Sequence, residues 1–199
     1  MILFLTSIKE THCPQNSKTI GTSCVIGSSC TNGRAKLCPP GAFNDDSDTG
    51  LCNTCLAGNY SPYHGGLECA EKCADGFYCE NGAASGYPSR EEEPGFGICP
   101  AGSFCKDGVR NVCPPGTYQD RIGQSICFDC PAGYYCNDQN ITDFSTYECP
   151  EGQFCLKGTT TPSDCPAGKF RNATKGRTED DCQYCDPGYM CQDWLKQIE

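Results

Sequence analysis

The sequence predicts a small disulfide-rich repeat fold, an elongated array of short β-ribbons and loops with little helix and no large core. Composition is the first observation behind this prediction. The 199 residues include 21 Cys, 23 Gly and 14 Pro, but only two Met and one Trp. A cysteine content of about one in ten is typical of chains that replace core burial with cross-links. The second observation is that no window of about 11 residues or more shows the 3.6-residue apolar spacing of a helix.

A repeated pattern, Cys-x-x-Gly-x-aromatic, is the third observation, and repetition at regular spacing decides the fold class. Where Pro follows the cysteine, it presets φ for a turn, and Gly at the fourth position suits a type I turn. We therefore expect the turn to aim the sixth-position aromatic inward, over a disulfide. That position is once a methionine, Met190, and a degenerate copy at Cys24 carries Ser29 there. The pattern begins at Cys38, Cys55, Cys73, Cys99, Cys113, Cys130, Cys149, Cys165 and Cys185.

Long and short versions of the pattern divide the chain into four segments. A long version, such as Cys113-Pro-Pro-Gly-Thr-Tyr, continues through a loop to a Cys-x-x-Cys pair, whereas a short version closes with a seventh-position cysteine. We predict a lead-in with an incomplete unit at 1–37, and a long unit with two short units at 38–112. We predict the same grouping at 113–164, and a third long unit at 165–199 that we expect to be truncated.

The cysteine spacing favours one disulfide scheme, although sequence alone does not establish connectivity. Each long unit closes its own loop, and consecutive short units interlock, first cysteine with third and second with fourth. The predicted pairs are Cys13–Cys30, Cys38–Cys52, Cys55–Cys69, Cys73–Cys99, Cys79–Cys105, Cys113–Cys127, Cys130–Cys149, Cys136–Cys155 and Cys165–Cys182.

Three cysteines have no partner in this scheme: Cys24, Cys185 and Cys191, of which the last two can instead pair with each other. They lie at the two ends of the pattern. That placement favours a segment of a longer repeat array, and the competing interpretation is cross-linking between chains by the odd cysteine.

Charge and redox compartment restrict the function classes. Disulfides persist outside the cell or in the secretory lumen, so we expect a secreted or cell-surface protein. The net charge of −10 argues against nucleic-acid partners, which require a basic footprint. No apolar run is long enough to span a membrane. The segment MILFL is too short for a signal peptide, so we expect that the sequence is a fragment of a longer chain or comes from a gene model that is cut short.

Metal, redox and catalytic chemistry are weaker interpretations, and we expect no cofactor. The three Cys-x-x-Cys pairs lie too far apart for a four-ligand zinc site, and their secreted context favours disulfides over thiol exchange. Asp46 and Asp48 alternate like calcium ligands but lack the closing Glu of an EF-hand, which favours a solvated acidic turn. His12 and His64 lack the partners of a catalytic base, so we predict no enzyme.

Three Asn-x-Ser/Thr sequons predict N-linked glycans. They begin at Asn59, Asn140 and Asn172, in expected loops of an apparently secreted chain. The site at Asn59 is the weakest of the three, because the next residue, Tyr60, is a repeat aromatic.

The segment CPPGTYQDRIGQSICFDCPAGYYC, at 113–136, resembles cysteine-rich repeats of the ephrin-receptor-like type. The likeness covers roughly residues 24 to 191 and extends to tumour-necrosis-factor receptors and growth-factor-receptor cysteine-rich regions. Long runs of such units are typical of large ciliate and algal surface proteins, some of which build mastigoneme fibres. Cys-x-x-Cys-dense protist surface antigens are more distantly similar. The motif is specific for the fold and carries little information on function.

Two functions are compatible with these features. The first is a structural segment of a glycosylated, disulfide-laddered extracellular protein that assembles with copies of itself or sister repeat proteins into a surface fibre or coat. The alternative is a receptor ectodomain that binds a protein ligand, with the irregular insert at 80–98 as the expected binding surface. A protease inhibitor ranks third, because nothing marks a reactive-site loop.

Overall fold

The computed structural model describes residues 25–31, 34–45, 50–87, 96–188, 190–192 and 196–198. These residues form short two-stranded ribbons, with no α-helix in the ranges described. Two 3-10 turns occur, at Phe144–Thr146 and Glu179–Asp181. The fold class is therefore the small disulfide-rich repeat type that the sequence predicts.

Consecutive strands pair two by two along the chain, so each ribbon is local in sequence. In the ribbon-forming repeats that start between Cys38 and Cys165, the first strand carries the aromatic position and the second runs up to the next repeat's cysteine. The repeat that starts at Cys130 has a single bridge, between Tyr134 and Glu148, in place of a ribbon. The strands are β1 (Ser28–Thr31), β2 (Arg34–Leu37), β3 (Ala42–Phe43), β4 (Asn53–Thr54), β5 (Asn59–Tyr60), β6 (Glu71–Lys72), β7 (Phe77–Cys79), β8 (Phe96–Ile98), β9 (Ser103–Lys106), β10 (Val109–Val112), β11 (Thr117–Tyr118), β12 (Phe128–Asp129), β13 (Gln153–Phe154), β14 (Ser163–Asp164), β15 (Lys169–Phe170), β16 (Gln183–Tyr184), β17 (Met190–Gln192) and β18 (Lys196–Ile198).

Two compact units divide the described residues. The first extends to Ala74 and includes Tyr78–Gly97 and Asp107–Val109 within the described ranges. The second includes Asp75–Phe77, Ile98–Lys106 and the chain from Arg110 onward. The predicted four-segment division stays a prediction.

In the first unit, backbone hydrogen bonds join each repeat to the next in one recurring arrangement. The fourth-position glycine N–H donates to the seventh-position carbonyl of the following repeat, at 2.7–2.9 Å. The same glycine's carbonyl accepts from the N–H of the next start cysteine, at 2.9–3.0 Å. The glycine bonds run from Gly27 to Asn44, Gly41 to Ser61 and Gly58 to Cys79, and the cysteine bonds run from Cys38 to Gly27, Cys55 to Gly41 and Cys73 to Gly58.

The second unit repeats the same arrangement. Glycine N–H groups donate to the seventh-position carbonyl one repeat further along, and start cysteines donate back to the glycines. The glycine bonds run from Gly76 to Cys105, Gly102 to Gln119, Gly116 to Cys136, Gly133 to Cys155 and Gly152 to Arg171. Since both partners are backbone groups, no side chain takes part in these hydrogen bonds.

A third contact places one residue of each following repeat in the left-handed region. The seventh-position N–H donates to a carbonyl, and the residue directly before that carbonyl has positive φ; we call it the left-handed position. It is usually glycine, as L-residues are disfavoured there. The three described non-glycine residues with positive φ, namely Asp107, Asn140 and Lys175, all occupy this position. The full set is Gly65, Gly82, Asp107, Gly123, Asn140, Gly158 and Lys175.

Buried half-cystines make up most of the core. Start cysteines from Cys38 to Cys165 are at most 3% exposed. The aromatic positions from Phe43 to Phe170 are half-buried, and some of them pack against the disulfide of the following repeat. Tyr60, for example, packs against Cys73 and Cys79. The ring thus points inward as expected, and in this example it covers its neighbour's bond.

The long-repeat disulfides agree with the predicted pairs. The structure joins Cys38 to Cys52, Cys55 to Cys69, Cys113 to Cys127 and Cys165 to Cys182. In these repeats the seventh position holds a polar residue, so the start cysteine pairs across the ribbon. Asn44, Ser61 and Gln119 fill this position and are at most 5% exposed.

The interlocked pairing expected for the short repeats is wrong. Instead of Cys73–Cys99, Cys79–Cys105, Cys130–Cys149 and Cys136–Cys155, the structure closes each short repeat on itself, as Cys73–Cys79, Cys99–Cys105, Cys130–Cys136 and Cys149–Cys155. The turn at the positive-φ glycine reverses the chain, so the two Cα atoms lie 5.6–6.3 Å apart. That spacing suits a disulfide.

The cysteines near the two ends of the pattern differ from the rest in their predicted pairing. Cys185 and Cys191, expected to be unpaired or interchain, are bonded to each other by the same short-repeat turn. Cys30 is disulfide-bonded. The predicted Cys13–Cys30 pair and the expectation of an unpaired Cys24 concern residues 13 and 24, which lie outside the described residues.

The close contacts of the fourth-position glycines predict that replacement by alanine destabilises one such position more than another. Gly41 and Gly168 have the same position in their repeats, with φ of 81° and 82°. A Cβ on Gly41 would overlap the Gly82 carbonyl, whereas Gly168 has nothing within 4 Å. Gly168→Ala should cost about 1 kcal/mol of backbone strain. Gly41→Ala should cost about 1–3 kcal/mol more, from overpacking. Chemical denaturation with disulfides intact measures both, and equal losses would contradict a close backbone joint.

Short-repeat connectivity is testable by peptide mapping without reduction. A protease that cleaves before aspartate separates residues 129–137 from 143–163. The structure predicts that 129–137 is released alone, with an internal Cys130–Cys136 bond. If the two peptides remain linked in the mass spectrum, the interlocked scheme holds instead; reduction of the same digest identifies both peptides.

Candidate interaction surface: the aromatic loop

An irregular loop at residues 137–148, which we call the aromatic loop, interrupts the ribbon pattern in the second unit. It follows the Cys130–Cys136 disulfide and ends before Cys149. In place of paired strands it has a single bridge, between Tyr134 and Glu148, and a 3-10 turn at Phe144–Thr146. This segment therefore presents a surface unlike that of the ribbon repeats.

Local hydrogen bonds set the shape of the loop. The Asp143 carboxylate accepts from the Ser145 N–H at 2.8 Å and caps the 3-10 turn. Hydrogen bonds from Ser145 also lower the pKa of Asp143. The Tyr147 N–H donates to the Phe144 carbonyl at 2.9 Å. Asx residues favour such turns because their side chains satisfy backbone donors locally.

A cluster of rings surrounds one buried aliphatic side chain. Ile141 is 5% exposed and packs with the Cys130–Cys136 disulfide, and Tyr118, Tyr134, Phe144 and Tyr147 pack around them. Phe144 makes edge contacts with Tyr118 at 4.6 Å and Tyr134 at 5.0 Å between ring centroids. Edge contacts of this kind contribute roughly 0.5–1.5 kcal/mol beyond area burial.

Two backbone bonds fix the loop on the preceding repeat. The Asn140 N–H donates to the Cys113 carbonyl at 2.9 Å, and the Ile141 carbonyl accepts from the Gln119 N–H at 3.0 Å. Gln119 is fully buried, and its side-chain amide donates to the Ile126 carbonyl at 2.7 Å. The start of the aromatic loop is consequently held by the second unit's own repeat contacts.

An ion pair between Glu148 and Lys175 holds the C-terminal end of the aromatic loop. Glu148 accepts from Lys175 at 2.9 Å and from the Thr174 hydroxyl at 3.1 Å. These bonds lower the pKa of Glu148, and the Glu148 bond raises the pKa of Lys175. The Lys175 ammonium also lies 5.3 Å from the centre of the Tyr134 ring.

An open cavity of about 370 Å³ lies along the loop. Its walls supply carboxylate, amide and hydroxyl groups together with one aromatic ring, from Asp138, Asn140, Thr142, Asp143, Thr146 and Tyr147. Within the described ranges, no group of three or more His, Cys, Asp or Glu side chains is placed to hold a metal ion. The cavity walls therefore offer several hydrogen-bonding groups beside one aromatic ring.

The predicted glycan sites differ in accessibility. Asn140 and Asn172 are exposed, outside the strands. Asn59 is half-buried in β5, and its sequon partner Ser61 is 5% exposed. The Thr174 hydroxyl of the Asn172 sequon is bonded to Glu148. Of the three, Asn140 combines exposure with a position on the wall of a cavity.

Other predicted site residues do not come together in the described structure. Cys52, Cys55, Cys127, Cys130, Cys182 and Cys185 are half-cystines of separate disulfides. His64 is exposed. The calcium candidates Asp46 and Asp48, and His12, lie outside the described residues.

Sequence reasoning missed the buried polar residues at the seventh position. Asn44 and Gln119 are fully buried, and the Asn44 side chain donates to the Ser28 carbonyl at 2.7 Å. An available signal was their alignment with the second cysteine of the short repeats. A polar side chain there satisfies backbone groups where a short repeat places sulfur.

No family model matches the chain. It is 25% identical over 164 residues to the human signal peptide, CUB and EGF-like domain-containing protein 2, covering 79% of this chain and 16% of that protein. It is 30% identical over 159 residues to the rat sushi, von Willebrand factor type A, EGF and pentraxin domain-containing protein 1, covering 77% and 4%. Mouse thyroglobulin is 41% identical over 61 residues, covering 31% and 2%.

The chain is a disulfide-rich extracellular domain. It is similar to extracellular cysteine-rich proteins and spans less than a fifth of the length of each curated relative described above. The disulfides among its described residues fit an oxidising compartment. In the described part of the chain, no helix has the length and apolar character of a membrane span.

The Glu148–Lys175 pair predicts a pH dependence. A lowered pKa means that Glu148 contributes stability above its unfolded value of 4.5, and this contribution is lost as pH falls through the folded value. The raised pKa of Lys175 means that its contribution is lost only in alkali, as pH rises through its folded value. The melting temperature of the wild type should therefore approach that of Glu148→Gln on acidification from neutral pH.

Glu151→Gln is the matched control, because Glu151 is an exposed carboxylate in the adjacent turn. It should leave the acid dependence close to that of the wild type. A wild-type advantage over Glu148→Gln that persists unchanged into acid would contradict the assignment.

Proposed function

We propose that this chain is a structural segment of a secreted, glycosylated, disulfide-laddered protein that assembles into a surface fibre or coat, such as a mastigoneme-like filament. Its partners are copies of itself or sister repeat proteins, and its role is structural rather than catalytic. The observation that carries the proposal is the recurrence of one set of backbone hydrogen bonds between consecutive repeats in each unit.

Backbone joints suit a structural array for a physical reason. Repeats that contact mainly their sequence neighbours form quasi-one-dimensional systems whose stability adds up repeat by repeat. Here each joint uses a glycine and a start cysteine, as at Gly116 and Cys130, so repeats with different loops can follow one another. The same regularity supports the proposed ephrin-receptor-like kinship and the proposed division into four segments, at 1–37, 38–112, 113–164 and 165–199.

The pairing of the described cysteines limits how the chains of such an assembly would be held together. Cys185 and Cys191 are joined to each other and so do not supply cross-links between chains. Exposed apolar side chains are available for lateral packing instead, among them Leu56, Ile122 and Tyr184 at 62–78% exposure. Glycans on Asn140 and Asn172 would add solubility, because a glycan is bulky and hydrophilic.

A receptor ectodomain is the second candidate. The exposed Tyr63 and Tyr87, at 76% and 65%, favour it, because tyrosine is enriched at protein interfaces. Tyr87 lies in the insert at 80–98, of which residues 88–95 are outside the described ranges. The protein ligand would then contact the first unit.

Self-association of the glycosylated, secreted chain tests the proposal. Sedimentation at increasing protein concentration should show growing assemblies. Electron microscopy under non-reducing conditions should show filaments or sheets. Leu56→Ser combined with Tyr184→Ser should weaken assembly, while Gly168→Ala, which leaves exposed apolar side chains unchanged, should not. A monodisperse monomer at all concentrations would contradict the fibre, and loss of ligand binding in Tyr87→Ala would favour the receptor.

A further inference from the structure

A sequon and a cavity coincide on the aromatic loop. Asn140 begins the sequon Asn140-Ile-Thr and also lies in the wall of the 370 Å³ cavity. The cavity volume falls in the range of about 300–1,000 Å³ that is common for ligand sites. A group attached to the Asn140 amide nitrogen would therefore begin at the edge of an existing depression.

The cavity walls match the chemistry of a sugar ring. A pyranose has hydroxyl groups around its edge and C–H groups on its faces. Asp138, Asp143, Thr142 and Thr146 supply polar oxygens, and Tyr147 supplies a flat apolar ring. An aromatic with a polar rim suits a ligand that is apolar on one face and polar at its edge.

The backbone holds Asn140 in one orientation. Its φ of 63° places it at the left-handed position, and its N–H is bonded to the Cys113 carbonyl. A Cβ on Gly102 would overlap the Asn140 side-chain oxygen, so the amide lies directly against that glycine. Asparagine tolerates this backbone region better than most residues. A preorganised attachment point lowers the entropy that an attached sugar loses on docking.

We infer that the first sugar residues of an N-glycan on Asn140 occupy this cavity and stabilise the aromatic loop. The inference rests on the glycosylation included in the proposed function. Transfer forms a bond between sugar C1 and Asn140 Nδ2 and breaks the C1–O bond to a lipid-linked diphosphate donor. The amide proton is released, and the lipid diphosphate leaves.

Hydrogen exchange of the full secreted chain tests the inference. The reporters are the amides of Ser145 and Tyr147, which are bonded within the loop. Thr142→Ser keeps the sequon and Thr142→Ala removes it, with mass spectrometry giving occupancy at Asn140. The glycosylated forms should exchange about 3- to 10-fold more slowly at these amides, because the docked sugar opposes local opening.

Four controls separate sugar docking from other effects. Asn172→Gln, which removes the other exposed glycan, should leave the loop amides unchanged. Asp138→Ala should reduce the protection in the glycosylated chain only. Trimming to a single N-acetylglucosamine should retain most of the protection, because only the first sugars enter the cavity. The wild type and Thr142→Ala made without glycosylation should exchange alike.

The outcomes are distinct from those of the assembly experiment. An unoccupied Asn140, or equal loop exchange with and without the glycan, would overturn the inference while filament formation remained intact. Protection that is unaffected by Asp138→Ala and lost on trimming would also overturn it, since the effect would then come from the outer sugars. Loss of filaments with loop protection retained would overturn the proposed function alone.

Discussion

The backbone joint at the fourth-position glycine is the contact on which the rest of the structure depends. At Gly116, for example, the N–H donates to Cys136 and the carbonyl accepts from Cys130. A positive φ of 85° presents both groups to the next repeat, and a Cβ there would approach the Gly158 carbonyl at 2.7 Å. The same turn brings cysteines six residues apart to disulfide distance. Glycine therefore serves the covalent closure of a short repeat and the hydrogen-bonded joint between repeats at once.

The seventh position of a repeat is occupied by one of two kinds of residue. Short repeats place a second cysteine at the seventh position and bond it to the start cysteine, as in Cys130–Cys136. Long repeats place a polar side chain there, such as Gln119, whose buried amide is hydrogen-bonded because an unpaired buried polar group is costly. The start cysteine is then free to close the ribbon through Cys127. This exchange explains why long and short repeats can alternate on one backbone plan.

Much of the fold follows from sequence because its signals are local. The spacing from Cys113 to Cys127 crosses one loop, so the pair was predictable, as were the ribbons and the scarcity of helix. The closure of Cys130 on Cys136 was not, because sequence spacing allows Cys149 equally and only the turn geometry decides. Tyr60 was expected to cover a disulfide, but its contact with the following repeat depends on how repeats stack, which spacing does not encode.

The candidate site was only partly predictable, for a similar reason. Its sequon was visible at Asn140, and the role of Asn140 as a stand-in for glycine was not. The signal was a subtle one: the equivalent residue in neighbouring repeats is Gly123 or Gly158. The packing of Ile141 and Phe144 against a disulfide depends on residues more than ten positions away, such as Tyr118. The periodicity of the sequence does not reveal contacts between residues that far apart in the chain.

The left-handed position has a consequence for how such a chain can diversify. Where it is not glycine, it carries a group that makes a polar connection or begins a sequon: Asp107 meets Lys72, Lys175 meets Glu148, and Asn140 begins Asn-Ile-Thr. Each departs from glycine at a cost of roughly 1–2 kcal/mol at most, and the backbone joint is preserved. One codon per repeat can thus add a charge or an attachment point without redesigning the scaffold. An engineer seeking to label successive repeats at regular intervals would begin with that codon.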